Sequence, residues 1–449
     1  MSRPTWGNMD QSFSPTNMRR VWDLQTRKGK DLTRTFPKVK EAVEALRALR
    51  NDYLLASATD RDTRASLESA LSAARQHVEI VLEAALSATS QRIVADIQRD
   101  RFSWGLHQSS MVNGRQTYAL DASPHVFFAD KHLQRVVGSQ HNHRQPSRQD
   151  VVGALVRAID NRLPKAVVKV DVERFYESIE HRRLIQVLAR TDITPVNRAL
   201  IGLLLDEYQA LVGAPVGLPT GIGLSAKLAE FFVSRLDTRF LSLPNIQYFA
   251  RYVDDIVCVR GLENRDTSTD AELIAEISTG LAELGLGVNA SKSAVFRLRN
   301  QVLPAFDLLG YRIAYGSTGV SVQLTPNRLQ TIKDRVSNSF DVWQKRGPQN
   351  GGRQRLLLDR IRFLTGNTRL LNNKRNAMVG IYFSNPHLTD LKQLSHLDDH
   401  LKAITAQQIM PSGLKSKIDA LSFREGFETR RIHRFRPRQL EQLRGAWHA

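Results

Sequence analysis

Two adjacent aspartates, Asp254 and Asp255, stand between two short apolar runs and are the first residues whose types suggest chemistry. The runs are rich in β-branched and aromatic residues, which predicts a strand, a turn and a strand over residues 246–260. Hairpin turns favour Asn-Gly or Asp-Gly, so an Asp-Asp turn breaks a local rule between two good strands. Neighbouring carboxylates repel one another unless a divalent cation lies beside them. The pair is therefore either a solvated turn or part of a metal-dependent site.

A third acidic residue, Asp171, follows the apolar run Lys165–Val170. This pattern predicts a buried strand that delivers a carboxylate at its carboxyl end. The residues that follow are expected to turn towards helix, with Phe175 and Tyr176 on one side. An aromatic pair in this place is usually core, although Tyr176 is also a candidate for a ligand contact. The predicted sheet thus carries acidic residues from two places in the sequence.

The elements around these residues alternate between strand and helix. A glycine-rich segment, Gly217–Ser225, directly precedes a predicted helix. Glycines in this position can let the backbone approach a phosphate or a base closely. It matches neither the P-loop nor the dinucleotide-binding fingerprint, so by itself it indicates little. The later segments are a helix at Asp270–Leu284, a turn into a strand at Gly285–Asn289, and a strand broken by Gly310 at Phe306–Ile313.

The chain of 449 residues is strongly basic, with 64 Lys and Arg against 45 Asp and Glu and a net charge of +19. Residues 325–449 hold 23 Lys and Arg against 10 Asp and Glu, so 13 of the 19 excess charges lie there. Such a concentration favours a nucleic-acid-binding face, with a solvated helical surface as the alternative. The hydrophobic content of 41% is typical of a globular protein, and the length allows two or three domains.

Several function classes are excluded or disfavoured by composition. The single cysteine, Cys258, excludes an intrachain disulfide framework and a zinc site built on several thiolates. No run of 18 apolar residues and no signal peptide occurs, so we expect a cytoplasmic protein without a membrane partner. His141 and His143 form an H-x-H pair without a third soft ligand nearby, and solvated loop histidines are the default interpretation.

Helical periodicity and charge divide the chain into three predicted domains. Residues 1–100 predict amphipathic helices at Lys38–Leu54 and Arg64–Gln98, to which we assign no chemistry. Residues 101–325 contain a small irregular β/α unit followed by the strands and helices that carry the aspartates. Residues 326–449 are again helical and end in the basic run Arg430–Arg438.

Five motifs in this order resemble those of reverse transcriptases. They are the first catalytic motif at Val170–Tyr176, a Leu-Pro-Gln-Gly-like loop at Gly217–Gly221, the catalytic hairpin at Tyr252–Asp255, a lysine-bearing fourth motif at Leu286–Lys292, and the primer grip at Leu309–Tyr311. Together they are far more specific than any one of them. The resemblance implies an α+β right-hand polymerase, with fingers and palm in residues 101–325, a helical N-terminal region, and a helical thumb with a C-terminal extension in residues 326–449.

The form of Asp171–His181 and Gly217–Ser225 is most similar to the bacterial antiphage-defence reverse transcriptases, and Asp10–Asn17 is similar to one member of the two-polymerase type 3 systems. The resemblance implies an RNA-directed DNA polymerase whose partners are an RNA template, a DNA primer or product, and dNTPs. It also suggests a noncoding RNA and a second reverse transcriptase subunit in a complex. The alternatives are template-independent or protein-primed DNA synthesis, and an RNA-binding assembly subunit with an idle polymerase fold, against which the full acidic triad argues.

The resemblance also assigns roles to single residues. Asp171 and Asp254 match the carboxylates that bridge two Mg²⁺ ions, with Mn²⁺ as an alternative, and Asp255 and the Val172 carbonyl match further ligands. Lys292 matches the proton donor to pyrophosphate, and Tyr176 matches the residue that abuts the sugar 2′ position and disfavours ribonucleotides.

The remaining expected contacts lie in the fingers, the loop and the thumb. Those to the nucleotide involve Thr220, Gly221, Lys131 and Arg148, of which the last two are finger candidates for the triphosphate. Those to nucleic acid involve Tyr252, Gly310, Tyr311, Arg430, Arg431, Arg434, Arg436 and Arg438. Thr220 replaces the usual Gln of the family, which puts the usual contacts to the incoming nucleotide in doubt.

Overall fold

The computed structural model describes residues 9–28, 30–56, 60–112, 114–140, 146–243, 245–263, 267–298, 302–345, 350–370 and 377–447. Helices and strands are mixed, so the predicted α+β class is confirmed. No helix among these residues combines the length and the apolar character needed to cross a membrane. His141 and His143 lie outside the described residues.

The described helices and strands follow one another along the chain in a fixed order. The helices are α1 Pro15–Arg27, α2 Pro37–Leu55, α3 Arg61–Gln98, α4 Pro124–Ser139, α5 Arg148–Ile159, α6 His181–Leu188, α7 Pro195–Val212, α8 Gly223–Leu241, α9 Asp270–Glu283, α10 Pro326–Lys345, α11 Gly351–Thr365, α12 Lys392–Ala406, α13 Ser412–Asp419, α14 Phe423–Glu428 and α15 Pro437–Arg444. The strands are β1 His107–Val112, β2 Arg115–Ala119, β3 Lys165–Asp171, β4 Ile246–Tyr252, β5 Asp255–Gly261, β6 Ala294–Arg297, β7 Leu303–Leu308, β8 Tyr311–Gly316, β9 Gly319–Leu324, β10 Asn367–Arg369 and β11 Met378–Gly380.

Contacts between Cα atoms divide the chain into two compact units. The first comprises Met1–Arg144, Arg174–Leu236 and Ala282–Leu286, and the second comprises Gln145–Glu173, Asp237–Leu281 and Gly287–Ala449. Each unit joins segments that are distant in sequence. The three-domain division of the sequence at residues 100 and 325 therefore remains a prediction.

The first unit is mainly helical. The long helix α3 buries one apolar stripe, including Leu82, Leu86 and Ile93, and α1 and α2 pack against it. This spacing of four and seven residues is what places side chains on one face of a helix. The helices expected near Lys38–Leu54 and Arg64–Gln98 are thus present as α2 and α3. The only sheet among the described residues of this unit is the hairpin of β1 and β2.

The second unit contains a four-stranded antiparallel sheet in the order β4-β5-β3-β6 and a three-stranded sheet in the order β7-β8-β9. The centre of β3 is apolar except for Lys169, and its residues Ala166, Val167 and Val168 are buried. One hydrophobic core joins residues of both sheets with α5 and the helices α10 to α14. The predicted buried strand at Lys165–Val170 is present as β3.

Two local predictions need correction. Residues 173–178 form turns, and helix α6 begins only at His181. The segment Phe306–Ile313 is not one broken strand: β7 and β8 form a hairpin that reverses at Leu309 and Gly310, whose φ angles are +49° and +78°. Two consecutive left-handed residues match the twist of a two-residue hairpin turn, and glycine makes this turn accessible.

Candidate active site

The Asp-Asp motif lies at the tip of the hairpin formed by β4 and β5. Tyr252 pairs with Asp255, so Val253 and Asp254 form the two-residue turn. The φ angle of Val253 is +61°, a left-handed conformation that is unfavourable for a β-branched residue. A strained residue directly before Asp254 marks this turn as a candidate functional site.

Asp171 and Asp255 are brought together by the sheet. They form the last pair in the antiparallel register of β3 with β5. Directly opposite residues of an antiparallel pair point to the same face, so the two carboxylates are neighbours. The carbonyl of Asp254 accepts a hydrogen bond of 3.0 Å from the Val172 N–H, which joins the turn to the end of β3.

A third segment, residues 287–293, completes this region. Val288 forms an isolated bridge with Val172, and the Asp171 carbonyl accepts a hydrogen bond of 2.8 Å from the Asn289 N–H. The Asp171 N–H in turn donates to the Ser293 hydroxyl at 3.1 Å. Both backbone groups of Asp171 are thus held by the segment that also carries Lys292.

Lys292 lies beside the acidic residues. Its Nζ atom is 3.7 Å from Oδ2 of Asp171, and 60% of its side chain is exposed. At this exposure the ion pair contributes little to stability. The ammonium group can therefore move to another anion at small cost.

The acidic residues influence each other's ionisation. Burial is the main cause that raises the pKa of Asp255, and the charges of Asp254 and Asp171 raise it further. Lys169 and Lys292 oppose this by lowering the same pKa. Sequence reasoning missed Lys169. A strand places residues i and i+2 on one face, so the two-residue period of β3 predicts that Lys169 and Asp171 share a face.

The donor atoms fit a hard divalent cation. Asp171, Asp254 and Asp255 offer carboxylate oxygens, the ligand type that Mg²⁺ prefers. Within the described ranges, no three His, Cys, Asp or Glu side chains are grouped closely enough to form a metal site as they stand. The ligand roles of these residues and of the Val172 carbonyl stay predictions.

Tyr176 and the glycine-rich loop meet in the first unit. Tyr176 lies in the turn region and is half-buried, with its ring centroid 5.3 Å from that of Phe175. Its carbonyl accepts a hydrogen bond of 2.9 Å from the Leu218 N–H. Two of the segments expected to contact the nucleotide are therefore adjacent.

Thr220 and Gly221 attach this loop to β2. The Thr220 hydroxyl donates to the Gln116 carbonyl at 2.6 Å, and the Thr220 carbonyl accepts from the Tyr118 N–H at 2.8 Å. Gly221 has a φ of +97°, and a Cβ atom there would lie 2.9 Å from the Tyr118 carbonyl oxygen. Only glycine fits this approach. The Thr220 side chain is used to hold the loop, so the contacts of the usual Gln cannot be transferred to it.

Lys131 and Gly221 line one cavity of about 400 Å³ in the first unit. The Nζ atom of Lys131 is 2.8 Å from Oδ2 of Asp130. The cavity also receives Lys30, whose Nζ atom lies 4.1 Å from the ring centroid of Phe127. Sequence reasoning gave the N-terminal region no chemistry and missed Lys30, because no local pattern marks a lysine that folds back onto α4.

Arg148 was expected to contact the triphosphate, and this role stays a prediction. It belongs to the second unit, where its guanidinium carbon is 4.7 Å from the Tyr311 ring centroid and its Nε donates to the Leu309 carbonyl at 2.5 Å. These contacts assign Arg148 to the turn between β7 and β8. Its contacts give no support to a role on the triphosphate.

Tyr311 supports this turn from inside, although it was expected to contact nucleic acid. Its side chain is fully buried, and its hydroxyl donates to Oε1 of Gln149 at 2.8 Å. Arg328 lies 5.8 Å from the same ring, and burial, followed by the charge of Arg148, lowers the pKa of Arg328 to about 10. In the part of the chain that the structure describes, neither guanidinium forms a salt bridge with a carboxylate.

The other predicted nucleic-acid residues are placed differently from one another. Tyr252 is half-buried at the end of β4. Arg430 lies 4.4 Å from the Tyr382 ring centroid, and Arg431 forms an ion pair with Glu425. Arg434 and Arg436 are exposed. Arg438 lies in α15, and its side chain is outside the described part of the structure.

Comparison with solved structures gives distant matches. An RNA dependent RNA polymerase of BmCPV in the quiescent state has 11% identity and a TM-score of 0.34, over 58% of this chain and 26% of that chain. Telomerase from Candida albicans in complex with a TWJ fragment of telomeric RNA has 12% identity and a TM-score of 0.33, over 71% of this chain and 54% of that chain. This chain thus spans about a quarter and about half of the length of the two.

Comparison with curated proteins gives no match. A family model described as "Reverse transcriptase (RNA-dependent DNA polymerase)" matches residues 126–313. This range contains β3 with Asp171, the hairpin of β4 and β5, Lys292 and the turn between β7 and β8. Residues 126–313 of this chain are therefore a reverse transcriptase domain.

Proposed function

We propose that this protein is an RNA-directed DNA polymerase that extends a primer with deoxynucleotides. The observation that carries the proposal is the pairing of Asp171 with Asp255 across β3 and β5, with Asp254 at the adjoining turn. These carboxylates lie within the range that matches the reverse transcriptase model. A solvated Asp-Asp turn does not account for a third aspartate held beside it from another strand.

The acidic residues would hold two Mg²⁺ ions, or Mn²⁺ in their place. Asp171 and Asp254 are the proposed bridging ligands, with Asp255 and the Val172 carbonyl as further ligands. When bound, the ions would activate the primer 3′-hydroxyl and stabilise the negative charge on the phosphate undergoing transfer. Burial and then the charges of Asp254 and Asp171 raise the pKa of Asp255, and a bound cation would favour its ionised form, which supports this role.

Two other residues complete the proposed reaction. Lys292 would donate a proton to the leaving pyrophosphate, a role supported by its exposed ammonium group 3.7 Å from Asp171. Tyr176 would press against the 2′ position of the sugar and exclude ribonucleotides. The hydrogen bond between Leu218 and the Tyr176 carbonyl, which keeps Tyr176 beside the loop of Thr220 and Gly221, supports that role.

Nucleic-acid binding by the second unit is supported by its charge. Arg148 and Arg328 both lie on Tyr311 beside the turn that carries Gly310. Two half-buried cations close together repel one another, and a phosphate would relieve this repulsion. The helices after residue 325 add the excess of 13 positive charges. We propose that residues 326–449 are the thumb with its C-terminal extension.

The form of the motifs supports a finer proposal, in which the enzyme acts in bacterial antiphage defence from the cytoplasm, with a noncoding RNA and a second reverse transcriptase subunit. Phage plating on cells that express the chain with its neighbouring genes tests this role. The wild-type locus should lower plating efficiency, and the Asp254→Asn variant should not. Equal plating on both strains would remove the defence role and leave the polymerase proposal intact.

Template choice decides between the proposed activity and its alternatives. The purified protein is given Mg²⁺ and dNTPs with a primed RNA template, with a primed DNA template, or with no template. We expect extension on primed RNA whose sequence is complementary to the template. Synthesis without template would instead identify a template-independent or protein-primed polymerase. Nucleic-acid binding without synthesis in any mixture would identify an assembly subunit with an idle polymerase fold.

A further inference from the structure

Arg251 forms a buried ion pair directly behind the acidic turn. It lies in β4, next to Tyr252, and only 1% of its side chain is exposed. Its Nε donates to Oδ1 of Asp237 at 2.9 Å, and its Nη2 donates to Oδ2 of the same carboxylate at 2.8 Å. This two-pronged geometry fixes the plane of the guanidinium group.

A third donor of Arg251 reaches the turn itself. Its Nη1 donates to the Val253 carbonyl at 3.3 Å. This carbonyl belongs to the peptide group that joins Val253 to Asp254. Val253 holds a φ of +61°, which a β-branched residue adopts only when the surrounding structure enforces it.

We propose that Arg251, oriented by Asp237, is a positioning residue that keeps the strained peptide before Asp254 in one orientation, and thereby keeps the Asp254 carboxylate in place for the reaction. This inference rests on the proposed polymerase function. Arginine suits the task because a rigid fork can bind a carboxylate with two donors and still offer a third to a carbonyl, whereas lysine has one nitrogen. The alternative is a core ion pair that only joins β4 to the end of α8.

The first test replaces Arg251 by Lys in the full-length protein and measures primer extension on an RNA template. The positive charge and an ion pair with Asp237 remain available, but the geometry that reaches the Val253 carbonyl is lost. We expect kcat to fall by about tenfold or more, because small displacements of reacting groups cost rate. KM for dNTP should change by less than about threefold, since the nucleotide-binding residues are not altered. An unchanged kcat would overturn the proposal.

The second test is a double-mutant cycle with Val253→Gly, which separates positioning from stability. Glycine adopts a positive φ without strain, so the turn should depend less on Arg251. We expect the loss caused by Arg251→Lys to shrink to less than about threefold in the Val253→Gly background. The same fold-loss in both backgrounds would show that Arg251 is only a core ion pair.

Arg260 provides the matched control. Arg260 lies on β5, away from the turn, and forms an ion pair with Glu276 of α9. It is also partly buried. Arg260→Lys should lower the melting temperature without changing kcat.

If Arg251→Lys does not fold, Asp237→Asn takes its place in the same cycle, because it removes the carboxylate that orients the guanidinium. If the wild-type protein makes no DNA, the proposed function has failed; if it makes DNA and the cycle is additive, only the positioning role has failed.

Discussion

Tyr176 is the side chain that we propose discriminates between deoxyribose and ribose. It is half-buried, packs on Phe175, and is held beside the glycine-rich loop by the hydrogen bond that its carbonyl accepts from Leu218. An aromatic ring fixed in this way is rigid, and a rigid ring at the 2′ position excludes a hydroxyl by contact. Burial alone would make Tyr176 a core residue, so the position needs a functional test.

Replacing Tyr176 by Ala should open the sugar pocket and raise ribonucleotide use relative to deoxynucleotide use. Since one steric contact contributes on the order of 1–3 kcal/mol to discrimination, we expect the ratio of the two kcat/KM values to shift by about tenfold or more. Tyr176→Phe is the control, because it keeps the ring and should keep the ratio. A ratio that does not move in the Ala variant would leave Tyr176 as a packing residue.

The single residues of the site were predictable to different degrees. Asp254 and Asp255 stand out because they break a turn rule, and Asp171 stands out because it ends an apolar strand. Arg251 and Lys30 gave no signal, because their roles depend on partners such as Asp237 and Phe127 that are distant in sequence or defined only by the fold. Sequence reasoning finds residues that break local rules and misses those that act through tertiary contacts.

The turn between β7 and β8 is an element where two positive charges lie close together. Arg148 and Arg328 lie 4.7 Å and 5.8 Å from the ring centroid of the buried Tyr311, and burial lowers the pKa of both arginines. Glycine is favoured at position 310 because its φ angle is +78°, and Nη1 of Arg328 lies 2.8 Å from where a Cβ atom would stand. The turn therefore combines a close backbone approach with two cations, an arrangement suited to a phosphate.

Changing Arg328 to Gln should weaken binding of a primed template and reduce the dependence of affinity on salt. One lost phosphate contact lowers the slope of log affinity against log salt by roughly 0.7 to 0.9. Arg312→Gln is the matched control, since Arg312 lies on the same hairpin and is 3.9 Å from Oδ1 of Asp307. Titration of labelled nucleic acid at several salt concentrations measures both variants. Equal slopes for Arg328→Gln and wild type would remove this turn from the binding surface.

Elements with a long hydrophobic periodicity were predicted well, and elements whose bounds depend on a turn were predicted poorly. The helices α2 and α3 follow their apolar spacing, and the hairpin of β4 and β5 follows its β-branched runs. The hairpin of β7 and β8 was read as one strand, because Leu309 adopts a left-handed φ that its residue type does not announce. Helix α6 starts later than expected, because residues 173–178 form turns in which the Glu173 N–H and the Tyr176 carbonyl form backbone hydrogen bonds with Gly287 and Leu218.

At the scale of the whole molecule, positive charge is the dominant property. The net charge of +19 concentrates in residues 325–449, which the second unit contains entirely. The described C-terminal arginines differ in availability, since Arg431 is paired with Glu425 while Arg434 and Arg436 are exposed. Composition predicted a basic face, but only the fold distinguishes a paired arginine from an exposed one.

Changing Arg430, Arg431, Arg434, Arg436 and Arg438 together to Gln should weaken nucleic-acid binding and flatten its salt dependence. Each phosphate contact that is lost reduces the slope of log affinity against log salt concentration by roughly 0.7 to 0.9. The control variant removes five positive charges from the first unit: Lys38, Lys40, Arg47, Arg50 and Arg61, all to Gln. If both variants lose affinity equally, the effect is one of net charge, and the C-terminal run is a solvated surface.

The central claim is that the turn at Asp254 performs RNA-templated DNA synthesis, and primer extension on RNA by a nearly isosteric variant tests it most directly. Asp254→Asn keeps the shape of the turn but removes a metal-binding charge, and Asp307→Asn serves as a control on an exposed aspartate of β7. With equal melting temperatures for all proteins, we expect wild type and Asp307→Asn to extend the primer at similar rates and Asp254→Asn to incorporate less than about a tenth as much. Extension by Asp254→Asn at the wild-type rate would contradict the claim.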